Sequence, residues 1–400
     1  MKYESLYLHI PFCKKRCAYC DFTTEAVAQD DPVMDEYLAQ LISEIRQATK
    51  KGELAQIRTI YLGGGTPTHL GHKRLVELAY LLSLNIKLEQ VEEYTIEANP
   101  ESLTEAIVND LFALGVNRLS LGVQSFVDSE LKTLGRIHDA DRAKKAVADA
   151  RGRFTNISLD LMCGIPGQTA DSWQYSLEQA LLQSPEHLSI YPLQLEEGTE
   201  LAQRAGVSGT AGDKGTGRLS SSKDDKRPVP LSPPSNPVPA VPDDVLADFM
   251  EQAAMFLENN GFQRYEVASY AKPGYESKHN TVYWSGIPYL GIGTGAASMS
   301  NLGDGTRLRS KAGEEPEILT AKEACAENLF LAMRMARGVT EEQLNRASSL
   351  LPEIQEVFKE LQLLGLVEHR KGRFCPTTKG WLLGNELYAR IWDTAHIKSA

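Results

Sequence analysis

The stretch Leu6-Tyr7-Leu8-His9-Ile10-Pro11-Phe12-Cys13-Lys14-Lys15-Arg16-Cys17-Ala18-Tyr19-Cys20-Asp21-Phe22 joins an apolar, strand-like run to a loop carrying three cysteines. Their spacing, Cys-x-x-x-Cys-x-x-Cys, lets one short loop fold its thiols around a single inorganic centre. Thiolates favour zinc, copper(I) or iron–sulfur clusters. A closed structural zinc site completes its tetrahedron with a fourth ligand close by. Here position 22 is Phe, and Cys163, Cys325 and Cys375 lie far along the chain. Three thiolates on a four-iron cluster, a group usually held by four, leave one iron open to an exogenous ligand. A zinc knuckle or a set of reduced, buried cysteines is the plainer alternative that the spacing leaves open.

Outward from this loop, short apolar runs recur at residues 5–10, 57–62, 94–98, 118–123, 157–162 and 188–193, each bounded by turn chemistry. Between them, helical periodicity covers 33–49, 73–84, 104–114, 140–150 and 171–182, with Thr104 and Asp171 as candidate N-caps. Strands alternating with helices of this length predict right-handed crossovers and a parallel sheet in an α/β fold. Periodicity alone fits either an incomplete barrel or an open doubly wound sheet. In both, ligands collect beyond the carboxyl ends of the strands.

The pattern fails after residue 205. Residues 206–242 are rich in Gly, Ser, Pro, Lys and Asp, a composition that cannot bury enough apolar surface to order itself. They read as a flexible insertion, with a proline-rich docking site as the functional alternative. A helix is expected at 243–259, and a polar, aromatic stretch follows to about residue 312. From there to residue 400 the chain reads as a smaller, mostly helical unit. Within it, 361–367, 372–376 and 380–387 suggest helix, hairpin and helix, similar to a winged-helix module.

With 400 residues, 42% hydrophobic and 24% charged, the chain is long enough for one large domain and a smaller one. A net charge of −11 argues against nucleic acid as partner, because phosphate binding needs a concentrated basic surface. Six cysteines, three of them clustered, fit a reducing cytosol rather than a disulfide framework. No stretch approaches the ~20 apolar residues of a membrane span. A strand beginning so near Met1 leaves no room for a targeting peptide, so a cytoplasmic location is expected.

Polar residues gather where the predicted strands end. Gly63-Gly64-Gly65-Thr66-Pro67 follows the second strand, Glu97-Ala98-Asn99-Pro100 ends the third, Gln124-Ser125 the fourth, and Asp160 lies on the fifth. Glycines there allow close approach of backbone, and their amides can hold a carboxylate. The turn does not match the phosphate loop Gly-x-x-x-x-Gly-Lys-Ser/Thr. Polar side chains in a barrel mouth have lost bulk water and need partners, so a polar ligand accounts for them economically. For any single one, a capping or turn role is the ordinary reading.

The cysteine loop resembles the signature of the radical S-adenosylmethionine (SAM) enzymes. Taken in order, Tyr-x-His-Ile-Pro-Phe-Cys, Gly-Gly-Gly-Thr-Pro-Thr, Glu-x-Asn-Pro and Gly-Val-Gln-Ser-Phe are similar to the oxygen-independent coproporphyrinogen III oxidase family. The resemblance implies a partial (β/α)6 barrel, with Cys13, Cys17 and Cys20 on a 4Fe-4S cluster. It implies that Tyr7, Gly64 and Glu97 serve cluster-bound SAM, the glycine turn meeting its amino group, and that Gly65, Thr66, Gln124, Arg136 and Asp160 match positions for a second SAM. Tyr19 belongs to the same implied cofactor surroundings, and Phe22, beside the cluster, is placed either to pack on the adenine or to sit in the core. The implied chemistry is one-electron reduction of the sulfonium to release a deoxyadenosyl radical.

Two features separate branches of the family. The dehydrogenase branch carries a further cysteine two residues after the triad and a sizeable N-terminal extension. This chain has Phe22 there and twelve residues before Cys13. His279-Asn280-Thr281-Val282-Tyr283-Trp284 resembles the His-Asn-x-x-Tyr-Trp motif of the HemW-type heme chaperone branch. An imidazole is a normal axial ligand for heme iron, and flanking aromatics can cover a porphyrin. The resemblance therefore implies a protein that binds heme, a 4Fe-4S cluster and SAM, and delivers heme to apo-hemoproteins. The rival is coproporphyrinogen III decarboxylation to protoporphyrinogen IX. A membrane-associated hemoprotein acceptor and a homodimer are both left open.

Overall fold

In the computed structural model, residues 3–206 and 239–397 are described. Most of the expected insertion lies outside them. Six parallel strands form the centre: β1 (Ser5–Ile10), β2 (Thr59–Gly64), β3 (Glu93–Ala98), β4 (Arg118–Gln124), β5 (Ile157–Cys163) and β6 (His187–Pro192). Each alternates. Leu6, Leu8, Ile60, Leu62, Ile96, Leu119, Leu121, Leu159 and Leu161 are all 2% exposed or less and form the core with the surrounding helices. The residues between them, among them Ser5, Tyr7, Thr59, Tyr61, Ser120 and Asp160, turn to the concave face, where several are bonded to one another. An apolar outer layer and a polar inner one make this half-closed sheet a binding vessel.

The helices form for the reason expected. In Val33–Lys50, Met34, Leu38, Leu41, Ile45 and Ala48 recur at helical spacing and are buried, while acidic residues fill its first turn. Thr104 caps the helix Glu105–Ala113 through the Ile107 amide. The helix Ala170–Leu182 starts earlier than predicted, and its cap is Thr169 rather than Asp171. Thr169 and Ser172 exchange side-chain-to-backbone bonds in a capping box, and Asp171 sits in the first turn.

The sheet does not stop at six strands. Beyond β6 lie β7 (Gln263–Arg264) and β8 (Ser269–Ala271). Beyond β1 lie β9 (Tyr289–Ile292), β10 (Ala297–Asn301), β11 (Arg307–Lys311) and β12 (Glu317–Leu319), giving the order β12-β11-β10-β9-β1-β2-β3-β4-β5-β6-β8-β7. β9 is parallel to β1; the other additions are antiparallel. These strands are short and their burial mixed, which is why the stretch to residue 312 showed no clear period.

The C-terminal unit has its own core of Met333, Phe358, Leu361, Leu387 and Ile391. Its hairpin pairs Val367–Arg370 with Arg373–Pro376 through Lys371 and Gly372, both at positive φ as a type I′ turn requires. Two boundaries differ from expectation. The helix before the hairpin is Ile354–Leu363, since Val367 already belongs to a strand, and the following one is split into Thr378–Leu382 and Gly384–Asp393. Among the described residues, no helix is long and apolar enough to cross a membrane.

Candidate functional site

The cysteine loop leaves β1 at Pro11 and is tied down on three sides. Gly65 and Thr66 donate their amides to the carbonyls of Ile10 and Phe12, and Ala18 donates to Leu134 and accepts from Leu201. With Gly64 donating to Glu97 Oε2 at 3.0 Å, the amides of Gly64, Gly65 and Thr66 are all spent within the chain. The expectation that they would hold a ligand carboxylate is corrected here. A Cβ on Gly64 would stand 2.5 Å from the His9 ring, and one on Gly65 2.7 Å from the Phe12 carbonyl. Glycine is required at both for strand-to-loop packing.

Each thiol has a polar companion. Thr66 Oγ1 donates to Cys13 Sγ at 3.4 Å, Arg136 Nη1 to Cys17 Sγ at 3.2 Å, and Cys20 Sγ lies 3.8 Å from Thr24 Oγ1. Burial pushes the Cys13 thiol up to about 11; Thr66 offsets part of this, and repulsion from Cys17 and Cys20 adds to it. A buried thiol that resists ionisation beside two other sulfurs suits a cationic iron centre, which stabilises the thiolate. Among the described residues, no three His, Cys, Asp or Glu side chains converge on one metal ion. A polynuclear cluster, whose irons take one cysteine each, does not need that convergence.

Arg136 organises the mouth. Its Nη2 donates to Asn99 Oδ1 at 2.7 Å and to the Gly122 carbonyl at 2.8 Å, while its Nε is buried without a partner. Asn99 in turn donates to Thr66 Oγ1 at 2.7 Å. Arg136 is thus a hub binding the ends of β3 and β4 to the loop rather than a surface charge. Tyr19 lies beside it, its phenol pushed up first by burial, with Arg136 opposing. Gln124, 8% exposed, is held at φ +67° where the register of β4 against β5 shifts. A non-glycine residue held there carries strain of the kind that clusters at functional sites.

Below the mouth, Tyr61 donates to Glu97 Oε1 at 2.7 Å. Burial lifts the Glu97 carboxyl to about 7, with Asp160 adding repulsion against the bonds from Tyr61 and Gly64. Asp160 is lifted to about 6, again mainly by burial, despite Arg118 and the Ser120 hydroxyl 3.2 Å from both its oxygens. Two carboxyls held above their ordinary range in one concavity are acceptors suited to a cationic ligand. Tyr7 bonds to His9 Nδ1 at 3.0 Å, and His9 Nε2 to the Thr23 carbonyl at 2.9 Å. A carbonyl only accepts, so His9 carries its proton on Nε2 and accepts from Tyr7. His9, Tyr61 and Arg118 are not evident from the sequence alone, although His9, two residues from Tyr7, and Arg118, six from Gln124, share strand parity with predicted site residues.

Phe22 and His279, both expected at the cofactor site, are placed very differently. Phe22 is 70% exposed and belongs to no core. His279 is 1% exposed at the barrel floor. Its Nδ1 lies 2.9 Å from Ser5 Oγ and 3.0 Å from Thr59 Oγ1, on the first residues of β1 and β2, and its Nε2 lies 2.8 Å from Tyr283 OH. The helix Lys278–Trp284 is pinned there by Glu93, which accepts from the amides of Lys278 and His279. Burial lowers the imidazole to about 3. Five strand steps separate Ser5 from Ile10, so His279 stands roughly 16 Å from the start of the cysteine loop. Its neighbours Tyr283 and Trp284 do reach a cavity of about 630 Å³ that also touches Tyr7, His9 and Phe22.

A cysteine loop at the carboxyl ends of a half-closed α/β barrel, facing two raised carboxyls, defines a radical SAM protein. The chain matches the radical SAM superfamily over residues 7–180 and the HemN C-terminal domain over 319–383. That membership makes a 4Fe-4S cluster and SAM its cofactors. Two relatives named heme chaperone HemW span nearly the whole chain. The protein of Lactococcus lactis is 33% identical, covering 98% of this chain and 97% of its own length; that of Bacillus subtilis is 34% identical, covering 96% and 98%. The chain belongs to the HemW heme chaperone family. The solved coproporphyrinogen III oxidase HemN of Escherichia coli shares the fold, with a TM-score of 0.73 at 22% identity over 97% of this chain and 89% of that one.

Proposed function

We propose that the protein is a heme chaperone that binds heme beside its cluster and SAM and passes it to apo-hemoproteins in the cytoplasm. The observation that carries this reading is the 630 Å³ cavity, where Phe22 of the cysteine loop, Tyr7 of β1, and Tyr283 and Trp284 of the motif helix meet. It offers aromatic walls of the kind that cover a porphyrin, next to the cofactor end of the barrel. Relatives named heme chaperones over nearly the full length support the same assignment. All six cysteines are free, in keeping with a reducing compartment.

In this reading Cys13, Cys17 and Cys20 hold the cluster, with Thr66 and Arg136 steadying the first two sulfurs. Glu97, Tyr7 and the carbonyls of the glycine turn accept from the SAM ammonium, because the turn's amides are already used. Gln124, Asp160, Gly65, Thr66 and Arg136 border the space for the rest of the nucleotide, and Tyr19 closes it. When bound, the cluster and SAM supply one-electron chemistry. His279 acts as the buried anchor that sets the rotamer of Tyr283, and Tyr283 with Trp284 makes the direct contact with heme.

The test is anaerobic reconstitution with iron and sulfide, followed by a hemin titration in the visible spectrum and a coproporphyrinogen decarboxylation assay on the same sample. Heme uptake without decarboxylation is the expected result. Decarboxylation would establish a dehydrogenase instead, and absence of heme uptake would remove the chaperone reading.

A further inference from the structure

A second cavity, of about 720 Å³, shares Trp284 with the first and lies between the end of the motif helix and the C-terminal unit. Its walls include the apolar Leu329, Ala332 and Ala347, and three arginines, Arg337, Arg346 and Arg373. Arg346 is paired with Glu342. Among the described residues, Arg337 and Arg373 meet no carboxylate. Arg337 Nη2 donates to Ser285 Oγ at 2.7 Å; Arg373 donates to the carbonyls of Arg337, at 2.6 Å, and Gly338, at 3.2 Å. Each therefore spends donors on neutral oxygens while the two positive charges face one another. Burial, and then the nearness of Arg373, makes the charged form of Arg337 harder to keep.

The 630 Å³ cavity contrasts with this. Its cations are all neutralised, Arg309 by Glu327 at 2.8 Å and Glu317 at 3.2 Å, Arg307 by Glu327, and Lys311 by Glu314. A chain with eleven surplus negative charges thus holds a recess with three arginines against one glutamate, where positive charge goes unanswered. Two adjacent guanidiniums without a carboxylate repel one another, and an anion entering between them relieves that repulsion through charge-assisted, often bidentate bonds. The apolar wall and the Trp284 ring ask that the rest of the ligand be flat and apolar.

We propose that this recess is the carboxylate-binding half of the heme site. Arg337 and Arg373 grip the two propionates, and the ring lies along the wall of Leu329, Ala332 and Ala347 beside Trp284, a residue that also lines the aromatic cavity. This rests on the heme-chaperone reading and adds the polarity with which heme is held.

The test compares hemin with hemin dimethyl ester, whose propionates carry no charge, on the cluster-loaded full chain under anaerobic conditions. The wild-type chain is expected to bind hemin at least about tenfold more tightly than the ester, the range of charged hydrogen bonds. The double variant Arg337→Gln/Arg373→Gln should lose that preference while binding the ester as before, and Arg337→Lys/Arg373→Lys should keep most of it. Circular dichroism and melting temperature verify that the variants are folded. Equal wild-type affinity for the two ligands, or a preference that survives in the glutamine variant, overturns the propionate assignment and leaves the chaperone reading standing. Failure of the wild-type chain to bind either ligand overturns both.

Discussion

Replacing Glu97 by Gln should stabilise the chain, and only above about pH 5. The carboxylate is enclosed in the barrel, held by Tyr61 and the Gly64 amide, and lifted from an ordinary 4.5 to about 7. At about 1.4 kcal/mol per tenfold change in proton affinity, holding it ionised at pH 8 costs roughly 3 kcal/mol. The side chain keeps a partly open edge to the mouth, so about 2 kcal/mol is the working figure. The sign follows from proton counts. Between pH 4.5 and 7 the folded chain binds the proton more tightly than the unfolded chain, so wild-type stability falls as pH rises through that window. The Glu97→Gln variant has no such loss, and its new amide can accept from Gly64 and donate to Tyr61. Asp160, whose charge opposes that of Glu97, should titrate somewhat lower in the variant and widen the difference. Urea denaturation of the cluster-free chain at pH 4.5 and pH 8, followed by circular dichroism, measures this as the variant-minus-wild-type difference. That subtraction cancels groups such as His187 and His279 that titrate in both proteins. A variant no more stable than wild type at pH 8 would refute the argument that burial raises this carboxyl. The expected gain also states why the residue is carboxylate at all: a cationic ligand is needed to make its charge favourable.

Arg136→Met removes the guanidinium that serves Cys17, Asn99 and the Gly122 carbonyl. Leaving those acceptors unmet should cost about 3 kcal/mol in urea denaturation and lower the iron retained after reconstitution. Thr169→Ala abolishes the capping box of Ala170–Leu182 and should cost about 1 kcal/mol without altering iron content. His279→Ala opens a buried gap and strips a partner from Ser5, Thr59 and Tyr283. It should cost about 2–4 kcal/mol, while the visible spectrum of heme bound by the folded fraction stays that of wild type. A shifted Soret band would instead make the imidazole an iron ligand.

The six central strands were legible because each places its outward residues against helices, so apolar runs of the right length stand between turn residues. The cysteine triad was legible for a different reason: its spacing is local, and a loop's ligand set needs no knowledge of the rest of the chain. The added strands were not, since β7 to β12 hold together by pairing with the edges of a sheet whose existence no local window reveals. Arg136 shows the same limit from the other direction. Its sequence neighbourhood, Leu-Gly-Arg-Ile-His, is that of an ordinary surface turn, and only the fold brings Cys17, Asn99 and Gly122 around it.

The motif helix is the sharpest case of what sequence withholds. His279 and Tyr283 are four residues apart, so on any helix they share a face and touch, as the 2.8 Å contact between them records. Which of the two meets a ligand depends on which end of the helix is buried. Glu93 decides it. Set 186 residues away at the start of β3, it accepts the amides of Lys278 and His279 and draws the N-terminal turn into the barrel floor. That leaves the C-terminal turn at the cavities, with Tyr283 and Trp284 lining the aromatic one and Trp284 also lining the other. Glu93→Gln removes the charge that holds this turn. If the reasoning is right, the helix should loosen, hydrogen exchange at residues 278–280 should rise by about tenfold or more, and heme affinity should fall although no heme-facing residue has changed. Unchanged exchange at those amides would mean that the anchoring lies elsewhere.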